Sequence, residues 1–190
     1  MTIKTMGFSE FIRAAHVKRW HVVNTTREQN LAEHQYMVTL IALELRQLLE
    51  LDHELGDCSP FILAALFHDA AEIRYGDVPT PGKRFIEQWK PDLFDAIDAA
   101  VVPEIPYTAD SNSTRHFDQR FVDIIQLADR IEAAWWITEN GAGRHAAAVA
   151  NNARHRVREF LAEQPEEWLP AANAVLSALS MPTIEDVPLL

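Results

Sequence analysis

A histidine–aspartate pair follows one of the most apolar segments of this chain. His68 and Asp69 come directly after residues 61–67, all of which are hydrophobic. Burying an imidazole beside a carboxylate is costly unless the groups are hydrogen-bonded, ion-paired or bound to a metal. Two further residues favour a metal, namely His34 at the start of one amphipathic segment and Asp129 inside another. Together they form a nitrogen and oxygen ligand set suited to a divalent cation such as Zn, Co, Mn, Fe or Mg.

Glu72 places another carboxylate next to this pair. On a helix, His68 and Asp69 would lie four and three residues before Glu72, so the three side chains would share one face. Two could then ligate a metal while the third acts as acid or base beside a bound water, whose pKa a metal lowers from about 15.7 towards about 7. The structural alternative is a buried hydrogen bond between His68 and Asp69, with Glu72 solvated.

The composition is that of a globular protein. Its 190 residues suffice for one domain, residues 1–190, with a core that needs no disulfide. The single cysteine, Cys58, fits a reducing compartment. No apolar stretch approaches the ~20 residues that span a bilayer, and the amino terminus has no signal-peptide core. We therefore expect a soluble, cytoplasmic protein without a membrane partner.

The charge distribution bears on the ligand. A formal net charge of -11 argues against duplex nucleic acid, because phosphate backbones are held by an excess of lysine and arginine. An acidic protein with a local basic patch instead suits a small anionic ligand. Such a patch lies just ahead of His34 and consists of Arg13, His16, Lys18, Arg19 and His21.

The elements that must position these residues are helices, because apolar residues recur with helical spacing almost throughout. No pair of strands and no glycine-rich phosphate loop is evident. The segment 76–82 is too rich in proline and glycine to be regular. The fold class is therefore all-α, a single-domain helical bundle. The predicted helices cover residues 8–15, 31–51, 60–76, 92–102, 117–141, 144–161 and 166–179.

These residues resemble those of a known superfamily. His34, the pair His68–Asp69 and Asp129 follow the H…HD…D order of the HD-domain metal-dependent phosphohydrolases. Three segments are similar to one branch, the bacterial 5′-deoxynucleotidases: residues 19–20 with 32–34, residues 67–72, and residues 76–81 with Lys83. The chain is also similar to compact phage HD enzymes that hydrolyse dATP or other dNTPs. The resemblance covers the first half well, and beyond it only residues 127–129.

The resemblance implies an HD-type bundle with a role for each matching position. His34, His68, Asp69 and Asp129 would hold one or more divalent ions, with Co, Zn, Mn or Mg as candidates. Glu72 would orient or deprotonate the attacking water, and Asp69 would share in catalysis.

The same resemblance implies a set of substrate-binding residues. Arg19 would grip a phosphate with its guanidinium fork, and Lys83 would add a second positive charge. Asp77 would accept a hydrogen bond from the sugar 3′-hydroxyl, and Trp20 would pack against the 2′ carbon and disfavour ribose. Pro79 belongs to the same set. At Val22 the chain departs from the pattern of that branch, and this β-branched side chain could press on the base and so select among bases. The structural alternatives are a surface cation–π pair for Arg19–Trp20, a solvated pair for Lys83–Arg84 and a turn role for Asp77.

One reaction follows as a hypothesis: metal-bound hydroxide attacks the α-phosphorus of a 2′-deoxyribonucleoside 5′-phosphate and releases the deoxynucleoside. Monophosphates are favoured over triphosphates, whose β- and γ-phosphates would need further basic residues such as Arg115, Arg120 or Arg144. The alternatives are a phage or bacterial dNTP triphosphohydrolase, with or without dATP specificity, an HD enzyme acting on other phosphoesters, and a non-catalytic nucleotide-binding module.

We also expect a homo-oligomer, because HD proteins of this branch pair through helix faces. Trp135–Trp136 offers an aromatic patch for this, unless one tryptophan fills the core.

Overall fold

The computed structural model of the chain describes residues 6–51, 58–94, 96–97 and 119–184. Within these ranges the protein is all-α, as the sequence predicts, and its only strand-like pairings are isolated bridges from Lys18 to Asn30 and from Thr25 to Gly141. No helix in the same ranges is both long and apolar enough to cross a membrane. The helices are α1 (Phe8–Phe11), a 3-10 helix (Ile12–His16), α2 (Leu31–Leu48), α3 (Cys58–Leu66), α4 (Glu72–Tyr75), α5 (Thr80–Trp89), α6 (Gln119–Asn140), α7 (Gly143–Leu161) and α8 (Trp168–Ala178).

Helices α2, α6 and α7 form the centre of the bundle. Helix α2 begins where the side chain of Asn30 accepts a hydrogen bond of 2.9 Å from the backbone N–H of Glu33, which is a standard amino-terminal cap. Its apolar stripe packs against α6, and α7 packs on the other side of α6. The core between them excludes water from one side of the segment that carries Asp129. The fully buried residues of this core include Val38, Ala42, Leu45, Ile124, Leu127, Ala128 and Ile131.

The helix predicted for residues 60–76 is interrupted, so the prediction of one continuous helix is wrong. Helix α3 ends at Leu66 and α4 begins at Glu72, with a turn between them. In a continuous α-helix the carbonyl of Ala65 would accept a hydrogen bond from the backbone N–H of Asp69. Here that carbonyl lies 2.8 Å from His68 Nδ1. The imidazole thus takes a backbone acceptor, and His68 and Asp69 lie on a turn instead of a helix face.

The segment predicted to be irregular is partly helical. Helix α4 ends at Tyr75 and is capped by Gly76, whose φ of +80° is a conformation that glycine adopts at little cost. Helix α5 begins at Thr80, with Pro81 in its first turn, where the missing N–H costs no hydrogen bond. The predicted helix at 92–102 and the start of the one at 117–141 lie mostly outside the described residues.

Candidate active site

Four predicted ligand residues meet at one point. His34 comes from α2, His68 and Asp69 from the turn before α4, and Asp129 from α6. Each offers one ligand atom, and these atoms all lie within 4.8 Å of one another. His34 Nε2 lies 3.4 Å from Asp69 Oδ2 and 3.3 Å from Asp129 Oδ1. His68 Nε2 lies 3.4 Å and 4.0 Å from the same two oxygens. We call these four residues the His/Asp cluster.

The orientation of both imidazoles is fixed from outside this cluster. His34 Nδ1 lies 2.7 Å from Glu132 Oε2, and His68 Nδ1 lies 2.8 Å from the carbonyl of Ala65. Since a carbonyl or carboxylate oxygen only accepts, each Nδ1 carries the proton and donates it. Both Nε2 atoms are buried and have no hydrogen-bond partner among the described residues. Metal-bound histidines are usually held in this way, so the donor set fits a divalent cation.

The electrostatics of the His/Asp cluster favour added positive charge. Burial opposes a charge on His34, yet nearby Glu132, Asp129 and Asp69 outweigh it and raise the pKa of His34 well above its ordinary value. Burial likewise opposes a charge on Asp69, but His68 and His34 hold its pKa well below the usual range. The carboxylates are therefore ionised at neutral pH, which is the state that binds cations.

Glu72 lies at the edge of this cluster and is 1% exposed. Its Oε1 accepts a hydrogen bond of 2.7 Å from Lys83 Nζ, while its Oε2 is buried and has no hydrogen-bond partner among the described residues. Burial and the charge of Asp69 raise the pKa of Glu72 to about 7, although Lys83 and Arg19 lower it. A carboxylate with a pKa near the working pH and one free oxygen is suited to exchange protons with a water.

Arg19 lies between these groups and Asp77. Its Nη1 is 3.3 Å from Asp69 Oδ2, 3.6 Å from Glu72 Oε2 and 3.9 Å from Asp77 Oδ1. Burial disfavours its charge, but Asp69 and Asp77 raise its pKa above the ordinary value. Arg19 is therefore a permanent cation inside the site. Asp77 Oδ2 also lies 3.7 Å from Nδ1 of His21, a residue of the predicted basic patch to which the sequence assigned no role in the site.

The Trp20 ring is held on two sides. It stacks on Trp136, with ring centroids 5.5 Å apart and an interplanar angle of 5°. Its Nε1 donates to Gln29 Oε1 at 2.7 Å, and Gln29 Nε2 donates to Glu132 Oε1 at 2.5 Å. The backbone of Trp20 has a φ of +60°, a strained conformation for this residue type. Hydrogen bonds therefore run from Trp20 through Gln29 and Glu132 to His34.

Gln29 and Glu132 are site residues that the sequence reasoning missed. Both are 0% exposed. Glu132 lies three residues after Asp129, so the two share a face of α6. That spacing was the available signal for Glu132, whereas nothing in the sequence marks Gln29. Trp136 is also fully buried, which agrees with the alternative that one tryptophan fills the core.

A cavity of about 330 Å³ opens beside the His/Asp cluster. Its volume lies within the range typical of small-molecule sites. It is lined by all six residues predicted to bind substrate, which are Arg19, Trp20, Val22, Asp77, Pro79 and Lys83.

The cavity wall also includes residues that the sequence did not predict. Of the basic residues proposed for a phosphate tail, Arg120 and Arg144 do not line this cavity, and Arg115 is outside the described residues. The unpredicted polar residues of the lining are Thr80, Arg130, His145, Asn152 and Arg156.

Comparisons with known proteins agree with this geometry. The family described as "5′-deoxynucleotidase YfbR-like" matches residues 8–158. The dATP triphosphohydrolase of Salmonella phage PMBT28 is 31% identical over 185 residues, which cover 93% of this chain and 89% of that protein. The 5′-deoxynucleotidase PM0747 of Pasteurella multocida is 29% identical over 147 residues, which cover 70% of this chain and 75% of that protein.

A solved structure is similar in fold. It is the cyanophage S-2L HD phosphohydrolase DatZ, bound to dA and one catalytic Zn²⁺ ion. The TM-score is 0.77 at 26% identity, and the match covers 94% of this chain and 99% of that one. The predictions of an HD-type fold, a hydrolase and a divalent metal cofactor are confirmed. The chain belongs to the YfbR-like family of HD phosphohydrolases and is a metal-dependent hydrolase of deoxynucleotides.

Proposed function

We propose that this protein cleaves the bond between the α-phosphorus and O5′ of 2′-deoxyribonucleoside 5′-phosphates and releases the deoxynucleoside. One observation carries the proposal. Two buried Nε2 atoms without hydrogen-bond partners among the described residues point towards Asp69 and Asp129, beside a cavity that also contains Arg19, Trp20 and Asp77. Such a site combines places for a cation, a phosphate and a sugar.

The His/Asp cluster would hold the divalent cation, which when bound supplies charge neutralisation at the phosphate and acidifies a water. Glu72 takes the proton of the attacking water on Oε2 while Oε1 stays hydrogen-bonded to Lys83. Its pKa of about 7 matches proton transfer near neutral pH. The same proton can then be delivered to O5′ of the departing deoxynucleoside, which balances the reaction.

Arg19 and Lys83 neutralise charge at the α-phosphate. Phosphoryl transfer depends mainly on such positioning and electrostatic stabilisation. Arg19 is held by its contacts with Asp69 and Glu72, so its guanidinium is positioned before substrate arrives. Lys83 is held by Glu72 in the same way.

Sugar and base recognition falls to the remaining cavity residues. Asp77 accepts a hydrogen bond from the 3′-hydroxyl. The Trp20 ring is fixed by Trp136 and Gln29 and cannot swing aside, so it disfavours a 2′-hydroxyl. Val22 is 57% exposed and, with Pro79, offers apolar contact to the base.

The proposal is tested by hydrolysis in ¹⁸O-labelled water with Mn²⁺, Co²⁺ or Zn²⁺, using dNMP, dNTP and NMP panels. We expect a deoxynucleoside product, with the label in the phosphate-containing product and much slower turnover of ribonucleotides. Label in the deoxynucleoside, or equal turnover of ribose and deoxyribose forms, would contradict the proposed roles. The Asp69→Ala variant is the inactive control. A cytoplasmic location and a homo-oligomeric state, both expected from the sequence, stay predictions.

A further inference from the structure

Two arginines line one side of the cavity, and a third lies close to one of them. They are Arg84 of α5, Arg130 of α6 and Arg156 of α7, and we call them the arginine cluster. Arg130 and Arg156 line the cavity directly. Burial, and then the charges of Arg84 and Arg130, lower the pKa of Arg156 in spite of opposing contributions from Glu159 and Asp129. The guanidinium groups of Arg84 and Arg130 are therefore each close enough to that of Arg156 to repel it.

No carboxylate among the described residues forms an ion pair with any member of the arginine cluster. The two cations assigned to the reaction do form ion pairs: Arg19 Nη1 lies 3.3 Å from Asp69 Oδ2, and Lys83 Nζ lies 2.7 Å from Glu72 Oε1. Unbalanced positive charge is unexpected in a chain with a net charge of -11. Repulsion that Glu159 and Asp129 only partly offset destabilises the free protein, so a concentration of cations at a cavity wall indicates an anionic ligand.

Both cavity arginines are oriented by other contacts. Arg156 Nη1 donates to Thr80 Oγ1 at 3.1 Å. Arg130 Nη1 donates to the carbonyl of Gln126 at 2.7 Å, and its guanidinium lies 4.5 Å from the centroid of the Phe160 ring. A guanidinium has five N–H donors, so each group keeps donors for phosphate oxygens. Arg130 also follows Asp129 directly in the chain, which places the arginine cluster next to the His/Asp cluster.

We propose that Arg130 and Arg156 form a subsite for the β- and γ-phosphates, so that this enzyme prefers deoxynucleoside triphosphates. The inference rests on the proposed function, since it assigns the tail of the same substrate. Water adds to the α-phosphorus, the bond to O5′ breaks, and the proton held by Glu72 goes to O5′. The products are the deoxynucleoside and inorganic triphosphate. This reverses the preference for monophosphates drawn from the sequence. It assigns the phosphate tail to Arg130 and Arg156 in place of Arg120 and Arg144, which do not line the cavity, while Arg115 lies outside the described residues.

The experiment compares kcat/KM for a dNTP and the dNMP of the same base in wild type, Arg130→Gln and Arg156→Gln. Wild type is expected to prefer the triphosphate. Each variant should lose about 10- to 100-fold in kcat/KM on the dNTP, the range for losing a hydrogen bond to a charged group, and change little on the dNMP. Lys90→Gln removes an exposed positive charge at the end of α5 and is the matched control, with both substrates unaffected.

Binding of tripolyphosphate, measured by calorimetry on the metal-loaded protein, provides a readout that does not depend on turnover. We expect wild type to bind it more tightly than orthophosphate, and Arg156→Gln to lose that difference while Arg156→Lys retains part of it. Equal affinity of wild type for the two anions would overturn the subsite even if the variants failed to fold. Equal losses on dNMP and dNTP would also overturn it while leaving the proposed function intact. A wild-type protein that hydrolyses neither substrate would refute both.

Discussion

Replacing Glu132 by glutamine should weaken metal binding without changing the volume of the side chain. Glu132 accepts two hydrogen bonds, from His34 Nδ1 at 2.7 Å and from Gln29 Nε2 at 2.5 Å. Glutamine has one acceptor oxygen and one NH₂ group, so one of these two donors would face another donor. Turning the Gln29 amide would only pass the conflict to Trp20, whose Nε1 donates to Gln29 Oε1. The conflict is relieved only if the proton of His34 moves from Nδ1 to Nε2. Nε2 is the atom that would bind the metal, so the cost falls on metal binding.

The size of the effect follows from these contacts. Losing the partner that orients a metal-bound histidine typically costs about 10- to 100-fold in metal affinity. That range corresponds to about 1.4–2.7 kcal/mol at 25 °C. It agrees with the about 1.5–3 kcal/mol expected for one hydrogen bond to a charged group. Glu132 is 0% exposed, so water cannot replace the lost acceptor.

Isothermal titration of metal-free protein with Mn²⁺ or Zn²⁺ measures this loss directly. The matched control is Glu139→Gln, which changes an exposed glutamate on the same helix and should leave the dissociation constant unchanged. Circular dichroism shows whether each variant is folded. If folded Glu132→Gln binds metal within twofold of wild type, then Glu132 does not orient a ligand, and the assignment of His34 loses its support.

Three further results are expected. Trp20→Ala should raise the kcat/KM of ribonucleotides relative to deoxyribonucleotides, because the ring no longer occupies the space of a 2′-hydroxyl; an unchanged ratio would show that Trp20 does not read the sugar. Lys83→Met removes a cation that lowers the pKa of Glu72, so that pKa should rise above about 7. Since Glu72 must be ionised to accept a proton, the acidic limb of the kcat–pH profile should move to higher pH, and an unmoved limb would exclude Glu72 as the base. Chelation of divalent ions should abolish hydrolysis and lower Tm, because a ligand that binds only the native state stabilises it; full activity in chelator would argue against a metal at the site.

The residues of the His/Asp cluster could be picked out because their surroundings in the sequence are unusual. His68 and Asp69 follow an apolar run, and Asp129 lies within the apolar stripe of α6. The sequence alone therefore indicates that polar and charged side chains are buried and need a partner. The break between α3 and α4 was not evident, since the apolar run has helical spacing. The break coincides with a side-chain hydrogen bond, in which His68 Nδ1 donates to the carbonyl of Ala65 in place of a backbone N–H.

Other site residues acquire their role only through packing. The spacing of Glu132 from Asp129 indicates a shared helix face, but it does not indicate that Glu132 is buried. Glu132 would be a solvated glutamate on an isolated helix, and it is buried only where α2 packs on α6. Arg156 lies on α7, which carries none of the motifs recognised in the sequence, and reaches the cavity because α7 packs on α6. Contacts between distant segments set both environments, and a periodic pattern does not contain that information.

The central claim is that His34, His68, Asp69 and Asp129 hold one divalent cation. Anomalous diffraction from crystals of the metal-loaded protein, recorded on both sides of the absorption edge of the bound element, tests it most directly. We expect a peak within about 2.0–2.3 Å of both Nε2 atoms and of one oxygen from each carboxylate. A fully loaded protein with its peak elsewhere, or with Asp129 outside ligand distance, would contradict it.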